Sequence, residues 1–151
     1  MSNVSEEHAQ RWLEVMPVIV RRLNAESDEA ANRLELSMTQ AEVVSYLSEE
    51  GETTMGELSD HICVSLSAMT GVIDRLVQKG AVSRGRDKKD RRVVNVSLTP
   101  AGKKLASDVS QVRKAHAIAV LGALDASDRK RLLDIMGKLA DNLPSRRPYK
   151  A

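Results

Sequence analysis

The residues best equipped for chemistry in this chain are cations crowded between Val82 and Leu98. Arg84, Arg86, Lys88, Lys89, Arg91 and Arg92 follow one another with only Asp87 and Asp90 as acids among them. Guanidinium and ammonium groups at this density neutralise phosphates, and arginine suits the narrow, strongly negative minor groove of a duplex. A charge run is by default a solvated loop. Its setting argues otherwise. Val82, Arg84 and Arg86 begin a strand pattern, and Val93, Val94, Val96 and Leu98 return with Asn95 and Ser97 alternating between them. That is the period of a half-buried strand. The cations therefore sit on a β-hairpin with a charged tip. Asp90 would repel phosphate unless it orients a neighbour, and Arg92 is the neighbour in reach.

A helix must present this hairpin, and the residues before it supply one. Ser65 is placed to cap, and Leu66, Met69, Ile73, Leu76 and Val77 form an inner stripe at helical spacing. Ser67, Thr70, Gly71, Asp74, Arg75 and Gln78 fall on the other side. A face meant only for water would carry longer charged side chains near its start. Small polar residues let a helix lie deep in a major groove. Lys79-Gly80 ends the helix with a cation at the negative end of the dipole and a glycine able to turn left-handed. Thr54-x-x-Glu57 is a capping box opening a short helix through Leu58 and Ile62. Helix, turn, helix and cationic hairpin together have winged helix-turn-helix proportions.

The flanks read as long helices. Residues 5–35 carry Leu13, Met16, Val20 and Leu23, with Trp12 and Ile19 widening the stripe. Ser5 can cap, Pro17 predicts a bend, and the polar stretch Asn24–Asp28 predicts a loosening. The next helix starts at Ser37 or Thr39, because Ser37-x-x-Gln40 and Thr39-x-x-Glu42 are competing capping boxes, and Gly51 ends it. Thr99 caps and Pro100 opens a helix to about Gly122. Asp125 caps a last one through Leu132, Leu133, Ile135, Met136, Leu139 and Leu143, and Pro144 is placed to stop it.

Bulk properties narrow the classes. The chain has 151 residues, no Phe and one Trp, so its core must be aliphatic and methionine-rich. The formal charge of +2 hides an acidic first third and a basic island from Lys79 to Lys104. Cys63 is alone, which excludes an intramolecular disulfide. No apolar run reaches the roughly 18 residues of a membrane span, and the N-terminus is polar, so a cytoplasmic location is expected. Asn3-Val4-Ser5 and Asn95-Val96-Ser97 are then chance sequons. No metal, cofactor or enzyme activity is expected. His61 and Cys63 lack a second ligand pair, and Ser127-x-x-Lys130 lacks its companion motifs. No acid–base pair or phosphate loop is present.

From Leu36 to Gly102 the sequence resembles the multiple-antibiotic-resistance (MarR) type winged-helix regulators. The matching residues are Gln40 with Val44 and Leu47, then Gly56-Glu57-Leu58, Val64-Ser65-x-Ser67 with Thr70, and Asp74-Arg75-Leu76. Lys79-Gly80-x-Val82-x-Arg84, Asp90-x-Arg92 and Val96-x-Leu98-Thr99-x-x-Gly102 follow. The resemblance implies a homodimer whose first helix and last two helices intertwine. It implies that Ser65, Ser67, Thr70 and Gly71 face the major groove, that Arg75 lies near phosphates, and that Arg92 enters the minor groove steadied by Asp90. Some relatives carry a long base-reading side chain where this chain has Gly71, which shifts weight to DNA shape.

The expected fold is therefore mainly α with a small β-hairpin, a winged helix-turn-helix between N- and C-terminal dimerisation helices. The expected division is a dimerisation helix over 1–36, a DNA-binding lobe over 37–99, dimerisation helices over 100–143 and a mobile tail over 144–151. The expected function is a sequence-specific transcriptional regulator, a repressor, that binds a pseudo-palindromic operator as a homodimer. A small-molecule effector is an expected further partner, in a pocket between the dimer helices and the lobe. The competing class is a winged-helix module that binds protein and not DNA. The cationic wing separates the two, since a protein-binding wing need not be basic.

Overall fold

The computed structural model describes residues 5–86 and 93–143, with side chains throughout except at 24–33. Its elements are α1 (Glu6–Arg33), α2 (Met38–Glu50), β1 (Thr53–Thr54), α3 (Met55–Ile62) and α4 (Leu66–Gln78), then β2 (Val82–Arg86), β3 (Val94–Leu98), α5 (Pro100–Gly122) and α6 (Ala126–Asn142). The expected division of the ends at 144–151 falls outside the described residues.

Local capping chemistry fixes most of these boundaries. Ser5 Oγ accepts from His8 N at the start of α1. Of the two boxes competing to open α2, Ser37 wins: its Oγ accepts from Gln40 N at 3.2 Å, and Gln40 Oε1 accepts from Ser37 N at 2.8 Å. At α3, Thr54 Oγ1 accepts from Glu57 N, and Glu57 Oε2 accepts from Thr54 N and from the hydroxyls of Thr54 and Thr53. The backbone bond from Thr54, then the two hydroxyl bonds, hold the Glu57 carboxyl below the usual carboxylate range. Ser65, Thr99 and Asp125 cap α4, α5 and α6. Gly51 and Gly80 take positive φ at the ends of α2 and α4.

Two expectations about helices need correction. The polar stretch Asn24–Asp28 does not interrupt α1, which runs unbroken to Arg33. Each Asn, Ser or Asp costs well under about 1 kcal/mol in a helix, and the alanines and glutamates around them favour it. The inner stripe of α4 is also narrower than read. Met69, Ile73 and Leu76 are fully buried, but Leu66 and Val77 are 55% and 40% exposed. Leu66 is the first helical residue, and side chains lean toward a helix N-terminus, so it points past the core.

A three-stranded antiparallel sheet in the order β1-β3-β2 replaces the simple hairpin expected. In β2–β3, Arg84 lies opposite Val96, and in β1–β3 Thr53 does the same from the other side. Val43, Val44 and Leu47 of α2, Leu58 and Ile62 of α3, the α4 stripe, Val82 and Val96 make one core. Ala106 and Val109 join it from the first turns of α5. Gly102 lets α5 approach, because a Cβ there would run into the Ala81 carbonyl. That contact is locked: Thr99 N donates to Ala81 O at 3.0 Å, and Thr99 Oγ1 donates to Gly80 O.

Candidate nucleic-acid interface

Helices α3 and α4 are joined by a turn at Cys63, which sits in the left-handed region at φ 59 and ψ 43. Its thiol donates to backbone carbonyls of Asp60 and His61. The turn sets α4 with its buried stripe on the core and its opposite face outward.

Along that outward face the expected residues do appear together. Ser67, Thr70 and Arg75 are exposed, and Gly71 is half-buried. Ser65 Oγ is engaged in the cap, accepting from Ala68 N at 3.2 Å. Thr70 Oγ1 donates its proton to the Leu66 carbonyl at 2.9 Å, so toward a base edge it offers acceptor lone pairs. A Cβ added at Gly71 would meet nothing within 4 Å. The surface at this point is thus open by lack of a side chain, not by lack of space.

Strand β2 carries Arg84 and Arg86, both exposed, beside α4. Their settings differ. Arg84 Nη1 lies 2.7 Å from Asp74 Oδ1, and its Nη2 donates to the Thr70 carbonyl at 3.2 Å. Arg84 therefore joins the sheet to α4, a pairing the sequence reading did not make. The signal was available: Asp74 is the sole acid on α4, and a lone acid on a face meant for phosphates needs a cation beside it. On the far side of the sheet, Asn95 Nδ2 donates to Glu52 Oε1, bracing β3 against the loop before β1. Lys88, Lys89, Asp90, Arg91 and Arg92, the rest of the expected wing contacts, lie outside the described residues.

Between α4 and the sheet is an open cleft of about 500 Å³. Met55, Leu66, Thr70, Arg84, Val93 and Val94 line it. Its walls are mostly apolar, and it opens on the same side as Thr70 and Arg84. Among the described residues no group of three or more His, Cys, Asp or Glu is arranged to hold a metal ion, and no helix is long and apolar enough to cross a membrane.

Known proteins share both the sequence pattern and this geometry. A family model described as the MarR family matches residues 36–94. The HTH-type transcriptional repressor MdtR of Bacillus subtilis is 29% identical over 125 residues, 83% of this chain and 81% of that protein. The uncharacterized HTH-type transcriptional regulator YcgE of the same organism is 30% identical over 112 residues, 74% of this chain and 73% of its own length. Among solved structures, a cysteine-to-serine mutant of MarR from E. coli complexed with operator DNA superposes with a TM-score of 0.74. It covers 89% of this chain and 94% of that one at 24% identity, a likeness of fold.

Proposed function

The chain belongs to the MarR family of transcriptional regulators, and from that premise we propose that it is a repressor that binds a pseudo-palindromic operator as a homodimer. The recognition helix α4 enters the major groove with Ser67, Thr70 and Gly71 against base edges and Arg75 at phosphates. Arg86, Lys88, Lys89 and Arg91 serve the backbone, and Arg92, oriented by Asp90, enters the minor groove.

The observation that carries this reading is the outward face of α4. It is small and polar at the groove-facing end, and it stands beside the strand that leads into the cationic stretch 87–92. The repressor sense is supported by the likeness to the transcriptional repressor MdtR, and the operator by the likeness to the DNA-bound MarR structure.

The homodimer is supported by apolar side chains outside the lobe. Trp12, Leu13, Ile118, Leu133, Met136 and Leu143 are all more than half exposed. A twofold pairing of residues 1–36 and 100–143 covers such stripes and sets two recognition helices about one helical turn of DNA apart, roughly 34–36 Å. Relief by a small molecule is supported by a second groove of about 360 Å³ between the loop that joins α1 to α2, the corner after α4 and the first turns of α5. Leu34, Leu36 and Leu105 give it apolar walls, and Lys104, Asp108 and Lys79, the last paired with Glu35 at 3.8 Å, give it charges of both signs.

Selecting bound fragments from genomic DNA, then titrating the recovered duplex at several salt concentrations, tests the proposal. Affinity should fall steeply with salt, and Arg92→Ala should cost about 1–3 kcal/mol. A flat salt response with unchanged binding in that variant transfers the module to the protein-binding class.

A further inference from the structure

Resting on the DNA-binding reading above, we propose that Arg84 is a positioning residue and not a phosphate contact, with Asp74 as its anchor. Together they fix the angle between the recognition helix and the wing strand, and so the operator preference.

Both arms of the Arg84 guanidinium are committed to α4. One lies 2.7 Å from the Asp74 carboxylate, and the other donates to the Thr70 carbonyl one helical turn earlier at 3.2 Å. A planar fork with two bonds to one rigid element has little freedom left. The backbone of Arg84 is equally fixed, since it pairs with Val96, whose side chain is fully buried in the core. Val82, Arg84 and Arg86 share one face of β2 by strand alternation. Val82 is buried under the lobe, so Arg84 is the point where that face leaves the core and meets α4.

The pair also changes what DNA encounters. Asp74 is the only acid on α4 and is half exposed. Unpaired, it would oppose a phosphate approaching Arg75. Paired, it presents no net charge. Conversely, Asp74 keeps Arg84 from acting as one more sequence-blind cation. Half-exposed ion pairs add little to stability. What this one sets is geometry, since two grooves can be engaged together only if helix and wing keep a fixed spacing.

The test uses the full chain, the selected operator duplex and a scrambled duplex of the same length, titrated by fluorescence anisotropy across salt concentrations. The double variant of Arg84→Ala with Asp74→Asn removes both charges of the pair, and it should weaken operator binding roughly tenfold, leave scrambled binding unchanged and keep the wild-type slope of log affinity against log salt. Asp74→Asn should release Arg84 to the backbone. Scrambled binding should then tighten, the slope should steepen by about 0.9, and operator preference should fall. Arg84→Ala alone should lose operator preference as the double variant does, and it should bind the scrambled duplex more weakly than the double variant, because it leaves the Asp74 carboxylate unpaired beside Arg75. The proposal is overturned if the double variant flattens the slope by about 0.9, or if either single variant retains the wild-type preference. Wild-type protein that binds neither duplex overturns the DNA-binding reading along with it, an outcome visible before any variant is made.

Discussion

The lobe and the terminal helices are built from the same aliphatic residues, yet they treat them in opposite ways. In the lobe, Val43, Val44, Leu58, Met69, Ile73, Leu76 and Val96 are fully enclosed. In α6, which has an equally regular stripe, no residue is buried, and Leu133, Ile135 and Met136 are each more than half exposed, as is Leu143 just past its end. The distal part of α5 and the start of α1 behave like α6, with Ile118 at 63%, Trp12 at 55% and Leu13 at 66% exposed. A helical stripe states only that one side of a helix wants cover. In the lobe the cover comes from the same chain. At the ends it must come from elsewhere, and a second copy is the proposed source.

The sharpest way to break that contrast is to put charge on the uncovered stripe. Met136→Glu with Leu139→Glu alters two exposed positions and leaves the lobe untouched. The expected result is a monomer by light scattering. Operator affinity should drop by about 10²–10⁴, because the second half-site is then no longer bound intramolecularly. The thermal transition of the lobe should persist. A double variant that remains dimeric would show that the stripe is not the seam and that the contrast between regions has another origin.

The converse experiment attacks the lobe where it is tightest. Gly102→Ala drives a methyl group into the Ala81 carbonyl, and that carbonyl cannot retreat without giving up its bond from Thr99 N. Ala81 N is itself held by the Leu76 carbonyl at 3.0 Å. A clash between two pinned backbones costs about 2–3 kcal/mol. It should appear as a lower urea midpoint with an unchanged slope. Because the clash lies between α5 and the corner that joins α4 to β2, operator binding should weaken as well. A midpoint equal to wild type would mean that α5 docks more loosely than its contacts indicate.

The difference between the regions also explains which features the sequence disclosed. Caps at Ser37, Thr54, Ser65, Thr99 and Asp125 depend on neighbours within three residues, so they could be read directly. The outward face of α4 was legible for the same reason. Strand β1 was not, because Thr53 and Thr54 make a strand only by pairing with Val96 and Asn95, and Thr54 was already spoken for as a cap. Leu66 was assigned to the core by periodicity, which does not know where a helix begins. The pairing of Arg84 with Asp74 joins residues ten positions apart through the corner at Gly80. The lone acid of α4 calls for a cation, but which cation answers it is decided only once that corner is in place.

A smaller effect of opposite sign sharpens the contrast within the lobe itself, between the core face and the outward face of α4. Glycine inside a helix costs about 1 kcal/mol relative to alanine. At Gly71 the added methyl group meets nothing within 4 Å. Gly71→Ala should therefore raise the urea-derived stability by about 0.5–1 kcal/mol. If the helix is seated deep in the major groove, the same methyl group must displace a base-edge contact or lift the helix. Operator affinity should then fall while binding to a scrambled duplex holds. Stability gained and specificity lost in one variant would mean that this glycine is retained for the ligand and against the fold. Stability gained with operator binding unaltered would instead assign groove depth to Ser67 and Thr70, leaving Gly71 as an unused opening in the surface.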